Sequence, residues 1–141
     1  MNIRIYLDFD GVISPTMPDV KHGLMIAVAG DCISLDSLNT LKKSIHTGGF
    51  ETVWATHREE SVYDITDQLG LPRLPHLTFT DPTGSKVKDI IAHYTANPCS
   101  YAMVHEDSLT AAEIEALTEA GLAVRMFDNC VIQSRYEPED K

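Results

Sequence analysis

Two aspartates separated by a single residue, Asp8 and Asp10, sit in the run YLDFDGV at residues 6–12. They end a stretch in which Ile3, Ile5 and Leu7 alternate with Arg4, Tyr6 and Asp8, the pattern of a strand that stops at Gly11. Where the chain turns at a strand end, both carboxylates reach one site, and the pair suits phosphoryl chemistry. One carboxylate attacks phosphorus and holds the group as an aspartyl-phosphate. The other protonates the leaving oxygen and later takes a proton from the attacking water. Crowded carboxylates call for a cation, and Mg²⁺ prefers oxygen ligands and phosphate. Gly11 lets the chain leave the strand tightly, with its amides near a ligand.

Other polar residues fall at equivalent places. A second apolar run, FETVWA, ends in Thr56-His57-Arg58, and a later one, YAMV, ends in His105-Glu106-Asp107. Thr56 suits a hydrogen bond to a phosphoryl oxygen, and equally an N-cap for a following helix. His57 and Arg58 read either as contacts for a substrate phosphate or as solvated loop residues. Glu106 and Asp107 join Asp8 and Asp10 as candidate Mg²⁺ ligands. A lysine at the next helix start, Lys86 or Lys88, would neutralise charge shared by the nucleophile and the phosphoryl group. Lys86 is nearer the preceding strand and is the first choice. Trp54, inside its strand, reads as core, as do Met25, Met103 and Met126. His22, His46, His76 and His93 do not cluster in sequence and receive no metal role.

These residues need a scaffold that gathers strand ends. Strands are expected at 3–8, 50–55, 74–79, 101–104 and 122–127. Helices are expected at 34–45 (Ser34 as N-cap; Leu35, Leu38, Leu41 and Ile45 on one face), 59–69, 85–94 and 110–120. The last of these carries capping-box spacing at Thr110 and Glu113. Strands alternating with helices imply an α/β fold: a three-layer, Rossmann-like parallel sheet of five strands with helices on both faces. Ligands in such sheets bind at the carboxyl ends of the strands, where strand order reverses. Residues 14–33 form an irregular flap with Pro15 and Pro18, and its second part, GLMIAVAGDCI, has the pattern of a β-hairpin. The expected core domain spans residues 1–128, and residues 129–141 read as a polar tail.

The motifs together resemble the haloacid-dehalogenase superfamily over roughly residues 2–128. YLDFDGV matches its first motif, an apolar strand followed by D-x-D-G-[TV]. VWATHRE (53–59) matches its second and is similar to the W-A-T variant of the small domains found in RNA-repair proteins. Lys86 or Lys88 matches the third. The fourth, normally a strand ending in two aspartates, departs from the pattern, because His105-Glu106-Asp107 stands there and leaves the register of the metal ligands open. The resemblance implies an HAD-like hydrolase with Asp8 and Asp10, Thr56 and the lysine as catalytic residues and Mg²⁺ as cofactor. Retention of the second aspartate implies phosphoester rather than carbon–halogen chemistry. Only about 40 residues separate the first two motifs and twelve follow the lysine before the next strand, so no large cap domain is expected. An open site of this kind suits a nucleotide, a nucleic-acid end or a phosphoprotein.

Composition narrows the partners. The 141 residues carry 21 Asp and Glu against 11 Lys and Arg, a net charge of −10. That balance argues against a broad nucleic-acid-binding surface. No apolar run approaches the roughly 20 residues of a membrane helix, and the early aspartates do not suit a signal peptide; a cytoplasmic protein is expected. Cys32, Cys99 and Cys130 are widely spaced and form no C-x-x-C pair, so reduced thiols are expected. Two other functions compete with hydrolysis. A receiver-like binding module would use Asp81, at the end of the third expected strand, as its phosphorylated residue. A catalytically impaired HAD-like protein would serve as a binding module.

Overall fold

A computed structural model describes residues 2–16 and 23–138. Residues 17–22 of the expected flap, with Pro18 and His22, and residues 139–141 of the expected tail lie outside the described residues. The chain is α/β, with a five-stranded, mostly parallel sheet in the order β4-β1-β5-β6-β7. Its elements are β1 (Ile3–Leu7), β2 (Met25–Val28), β3 (Asp31–Ser34), α1 (Leu35–His46), β4 (Phe50–Trp54), a 3₁₀ turn (Glu59–Val62) running into α2 (Tyr63–Thr66), α3 (Val87–Ala96), β5 (Tyr101–Glu106), α4 (Ala111–Glu119), β6 (Ala123–Asp128) and β7 (Val131–Tyr136).

Alternation along the strands separates two cores. Tyr6, Val53, Val104 and Val124 pack with Ile90 of α3 and Leu117 of α4 in one apolar cluster. Leu7 and Trp54, each the next residue along its strand, pack with Leu38 and Leu41 of α1 and Ile65 of α2 in the other. Successive strand side chains point to opposite faces, so a parallel sheet covered on both sides needs apolar residues at adjacent positions. Trp54 is fully buried, as a core residue should be. Two helix starts are built as the local sequence prescribes. Ser34 accepts a hydrogen bond from the Ser37 amide, and Thr110 and Glu113 close a reciprocal capping box.

Three expectations are corrected. The segment 74–79 does not form a strand. It contributes one parallel bridge, His76 to Trp54, with the Trp54 amide donating to the Pro75 carbonyl and the Leu77 amide to the Trp54 carbonyl. Pro72, Pro75 and Pro82 punctuate this stretch, and proline brings no amide to a ladder. The expected helix 59–69 is broken: it is a 3₁₀ turn and a four-residue α2, closed by turns up to Gly70 at φ +72°. The tail is the third correction. Beyond residue 128 the chain turns through Asn129 and Cys130, both at positive φ, and returns as β7, antiparallel to β6. Two central residues at positive φ make the tight hairpin turn whose twist matches that of paired strands. The sheet therefore has the expected five strands but a different fifth member, and four of them, not five, run parallel.

The expected hairpin in the flap is present. β2 and β3 pair antiparallel through a similar turn at Ala29 and Gly30. The hairpin is fastened to the loop after β1 by the Ser34 amide on the Ile13 carbonyl and by Ser14 Oγ on the Cys32 carbonyl at 2.7 Å.

Candidate active site

From β1 the chain proceeds to β4 on one side, and from β5 it proceeds to β6 on the other. The crevice at the carboxyl ends of β1 and β5 is therefore where strand order reverses, the general ligand position in open α/β sheets. A pocket of about 380 Å³ lies there, lined by Asp8, Thr56, Lys86, Glu106 and Asp107 among others. Each arrives from a different connection: Asp8 just after β1, Thr56 after β4, Lys86 at the start of α3, Glu106 as the last residue of β5 and Asp107 just beyond it.

Lys86 is the hub. Its Nζ lies 3.0 Å from Asp8 Oδ1 and 2.9 Å from Glu106 Oε2, and all three side chains are buried. Asp8 Oδ1 also accepts the Phe9 amide at 2.8 Å. Lys88 is exposed, which selects Lys86 as the site lysine. Ligand atoms of Asp8, Glu106 and Asp107 lie within 4.8 Å of one another. Burial works against the Lys86 charge, but Asp8 and Glu106 outweigh it and leave the ammonium more firmly charged than an ordinary lysine. Burial, with the neighbouring Asp8, pushes the Glu106 carboxyl far above the carboxylate range despite Lys86. Burial likewise raises Asp107. Three carboxyl groups crowd one ammonium in a low-dielectric place, where they resist ionising together unless a divalent cation joins them.

Gly11 is demanded by this arrangement. Its φ is +79°, and a Cβ built on it would stand 2.0 Å from Asp107 Oδ2. The first loop and the end of β5 thus touch at a point where no side chain fits. Strand alternation separates the residues of the run His105-Glu106-Asp107. Glu106 faces the pocket, whereas His105 faces the opposite side of the sheet, against Phe127 at 5.3 Å between ring centroids. Burial first, then Arg125 and Arg135, depress its pKa to about 3, so the imidazole is neutral.

The second carboxylate is placed differently from the expectation. Asp10 lines the pocket but is not grouped with the other three around a shared ligand position. It is gripped by Arg58, with Nε on Oδ2 at 2.9 Å and Nη2 on Oδ1 at 2.8 Å. The same guanidinium binds Asp31, at the start of β3 in the hairpin, at 2.8 and 3.2 Å, and its carbon lies 4.7 Å from the centre of the Phe9 ring. Arg58 is therefore occupied by two carboxylates, the first of which, Asp10, does most to hold its charge. It positions Asp10 rather than standing free for a substrate phosphate. His57 turns its Nε2 to the Gly84 carbonyl at 2.9 Å and its ring to Phe79, forming pocket wall. Its Nδ1 is buried with no hydrogen-bond partner among the described residues. Thr56 lines the pocket, and its Oγ1 accepts the Arg58 amide at 3.2 Å; it is not the N-cap of the following 3₁₀ turn, a position that Arg58 takes without a side-chain bond.

Several residues escaped the sequence reading. Asp31 looks like an ordinary turn acid beside Gly30, and only the hairpin's return brings it to Arg58. Ser85 and Glu113 line the outer wall, joined Oγ to Oε2 at 2.6 Å. Glu113 had a visible signal, its capping-box spacing, which explains its position but not its second bond. Asp81 is not among the pocket residues; its Oδ1 accepts the Thr83 amide at 3.2 Å and closes its own turn. No protein-family model, curated protein or solved structure matches this chain. Among the described residues, no helix is long and apolar enough to cross a membrane.

Proposed function

We propose that the protein is a Mg²⁺-dependent phosphomonoesterase of the haloacid-dehalogenase type, built on a Rossmann-like core without a large cap and working through an aspartyl-phosphate on Asp8. The observation that carries this reading is the Lys86 ammonium held between Asp8 and Glu106, with Asp107 beside them, at the β1/β5 switch point. The donor set is all oxygen and has one cation for three carboxylates, which fits Mg²⁺. Asp8, Glu106 and Asp107 would hold the ion, which when bound supplies charge for phosphoryl oxygens.

Asp8 Oδ1 is tied to Lys86 and the Phe9 amide, so Oδ2 is the attacking oxygen. It bonds to phosphorus as the ester P–O bond breaks, and the leaving oxygen takes a proton from Asp10, which carries one once an oxygen is released from Arg58. Water then attacks the phosphorus of the acyl phosphate, gives its proton to the Asp10 carboxylate, and frees Asp8 and inorganic phosphate. Lys86 offsets charge on Asp8 and the phosphoryl oxygens throughout, and the Thr56 hydroxyl donates to one of those oxygens. The substrate is a phosphate monoester presented from outside an open pocket, such as a nucleotide, a nucleic-acid end or a phosphoprotein. Three free cysteines support a reducing, cytoplasmic setting.

The test is release of p-nitrophenol from p-nitrophenyl phosphate, with and without Mg²⁺, by the native chain and Asp8→Asn. Mg²⁺-dependent release is expected from the native chain, falling by about four orders of magnitude or more in the variant. Equal turnover by Asp8→Asn would overturn the mechanism. No turnover from either, with Mg²⁺ still bound, would move the protein to the alternative reading, a catalytically impaired fold that serves as a binding module.

A further inference from the structure

His105 and Glu106 are neighbours in β5 that face opposite sides of the sheet, and behind the active-site pocket a second cavity opens on the His105 side. It measures about 190 Å³. Its floor is a row of residues in register across three strands: Leu7 of β1, His105 of β5 and Arg125 of β6. Leu41 of α1, Phe127 of β6 and Ile132 of β7 supply further apolar wall. The volume is slightly above that of an apolar cavity of about 150 Å³ that admits benzene.

Arg125 is the anomaly in this lining. It is partly buried, yet its side chain makes no hydrogen bond or ion pair among the described residues. Its positive field is felt at His105. The next cation in the same row, Arg135, is already engaged by Glu137 at 2.6 Å and by the Tyr101 hydroxyl. Asp36, the carboxylate of the lining, is exposed in the first turn of α1. A guanidinium that keeps water at the edge of apolar walls, with no carboxylate of the described residues on it, is open to a carboxylate from outside.

We propose that this cavity is a binding site for a small carboxylate with a ring-sized apolar body, whose carboxylate pairs with Arg125 while the ring rests against Leu7, Leu41 and Phe127. The site is separate from the catalytic pocket and does not depend on the proposed hydrolysis. It borders Val12 and Ile13, which follow Gly11, and Cys130, whose amide donates to the Gly11 carbonyl at 2.7 Å. The ligand would therefore stand against the back of the loop that carries Asp10.

The test is calorimetric titration of the full chain with benzoate at millimolar concentrations, beside benzyl alcohol and benzylamine. Saturable benzoate binding is expected, about tenfold or more tighter than either control. Arg125→Gln should lose about the same factor for benzoate and change little for benzyl alcohol. Absence of saturable benzoate binding would overturn the proposal. So would benzyl alcohol binding as tightly as benzoate, an outcome that needs no variant and so survives a folding failure of Arg125→Gln. Benzoate binding undiminished in a folded Arg125→Gln chain would also overturn it.

Discussion

At the scale of single residues, the site is a problem in placing charge. Lys86 touches two buried carboxylates and is worth more as a fixed partner than a surface lysine would be, because burial removes the water that would screen it. Arg58 solves a different problem. Its planar fork binds Asp10 through two parallel bonds and leaves the rest of the guanidinium for Asp31. If Arg58 positions the acid, Arg58→Gln should lower kcat by about tenfold to a hundredfold with KM little changed. An arginine that bound substrate phosphate would instead raise KM, so steady-state kinetics on p-nitrophenyl phosphate separates the two roles. Gly11 is the third point. Alanine there must adopt a left-handed conformation, at a cost of about 1–2 kcal/mol, and must also displace Asp107. Gly11→Ala should therefore lower the unfolding free energy by at least that amount and weaken Mg²⁺ binding, as denaturant melts and metal titration would read.

Elements explain why these residues meet. β1 and β5 run side by side, with Leu7 opposite His105, so the next residue along each, Asp8 and Glu106, come together by register, and Asp107 follows just beyond. Helix α3 begins at the same edge and delivers Lys86. Helix α4 is anchored by its capping box, and Glu113 uses its second carboxylate oxygen to hold Ser85 at the pocket wall. Thr110→Ala should cost about 1 kcal/mol of stability in a denaturant melt, the usual worth of an N-cap. The hairpin β2–β3 adds a polar tie to the core through Asp31. The opposite end of the sheet is finished by β7, an edge strand with exposed Val131, Ile132 and Tyr136 and an arginine engaged by Glu137. Its first residues form one side of the second cavity.

Considered whole, the molecule is two apolar cores on either side of one sheet, with a cluster of carboxyl groups where the strands end. A net charge of −10 favours cations and disfavours polyanions. A cation that binds the folded chain but not the unfolded one must stabilise it. At a concentration 100 times its dissociation constant the gain is about 2.7 kcal/mol. Mg²⁺ should therefore raise the melting temperature of the native chain, and Glu106→Gln with Asp107→Asn should abolish the rise. A melting temperature insensitive to Mg²⁺ would remove the metal from the proposed chemistry.

Local patterns in the sequence determined a good deal. Apolar alternation ending in D-x-D-G marked β1 and Asp8. Helical spacing and capping residues marked α1 and α4, and the hairpin in the flap was legible from its glycines and β-rich flanks. These features depend on neighbours within a few residues, where periodicity and turn chemistry act. What only the tertiary structure decided depends on partners far apart in the chain. Pairing with β6 makes a strand of residues 131–136, whose polar composition reads as a tail, while prolines reduce 74–79 to a single bridge. Strand alternation chose Glu106 over His105, and burial at the sheet edge chose Lys86 over Lys88. Arg58 looked equally suited to substrate or solvent until Asp10 and Asp31, 48 and 27 residues away, were brought to it. An arginine's partner is set by whichever carboxylates the fold delivers, and that delivery is written in long-range packing rather than in local sequence.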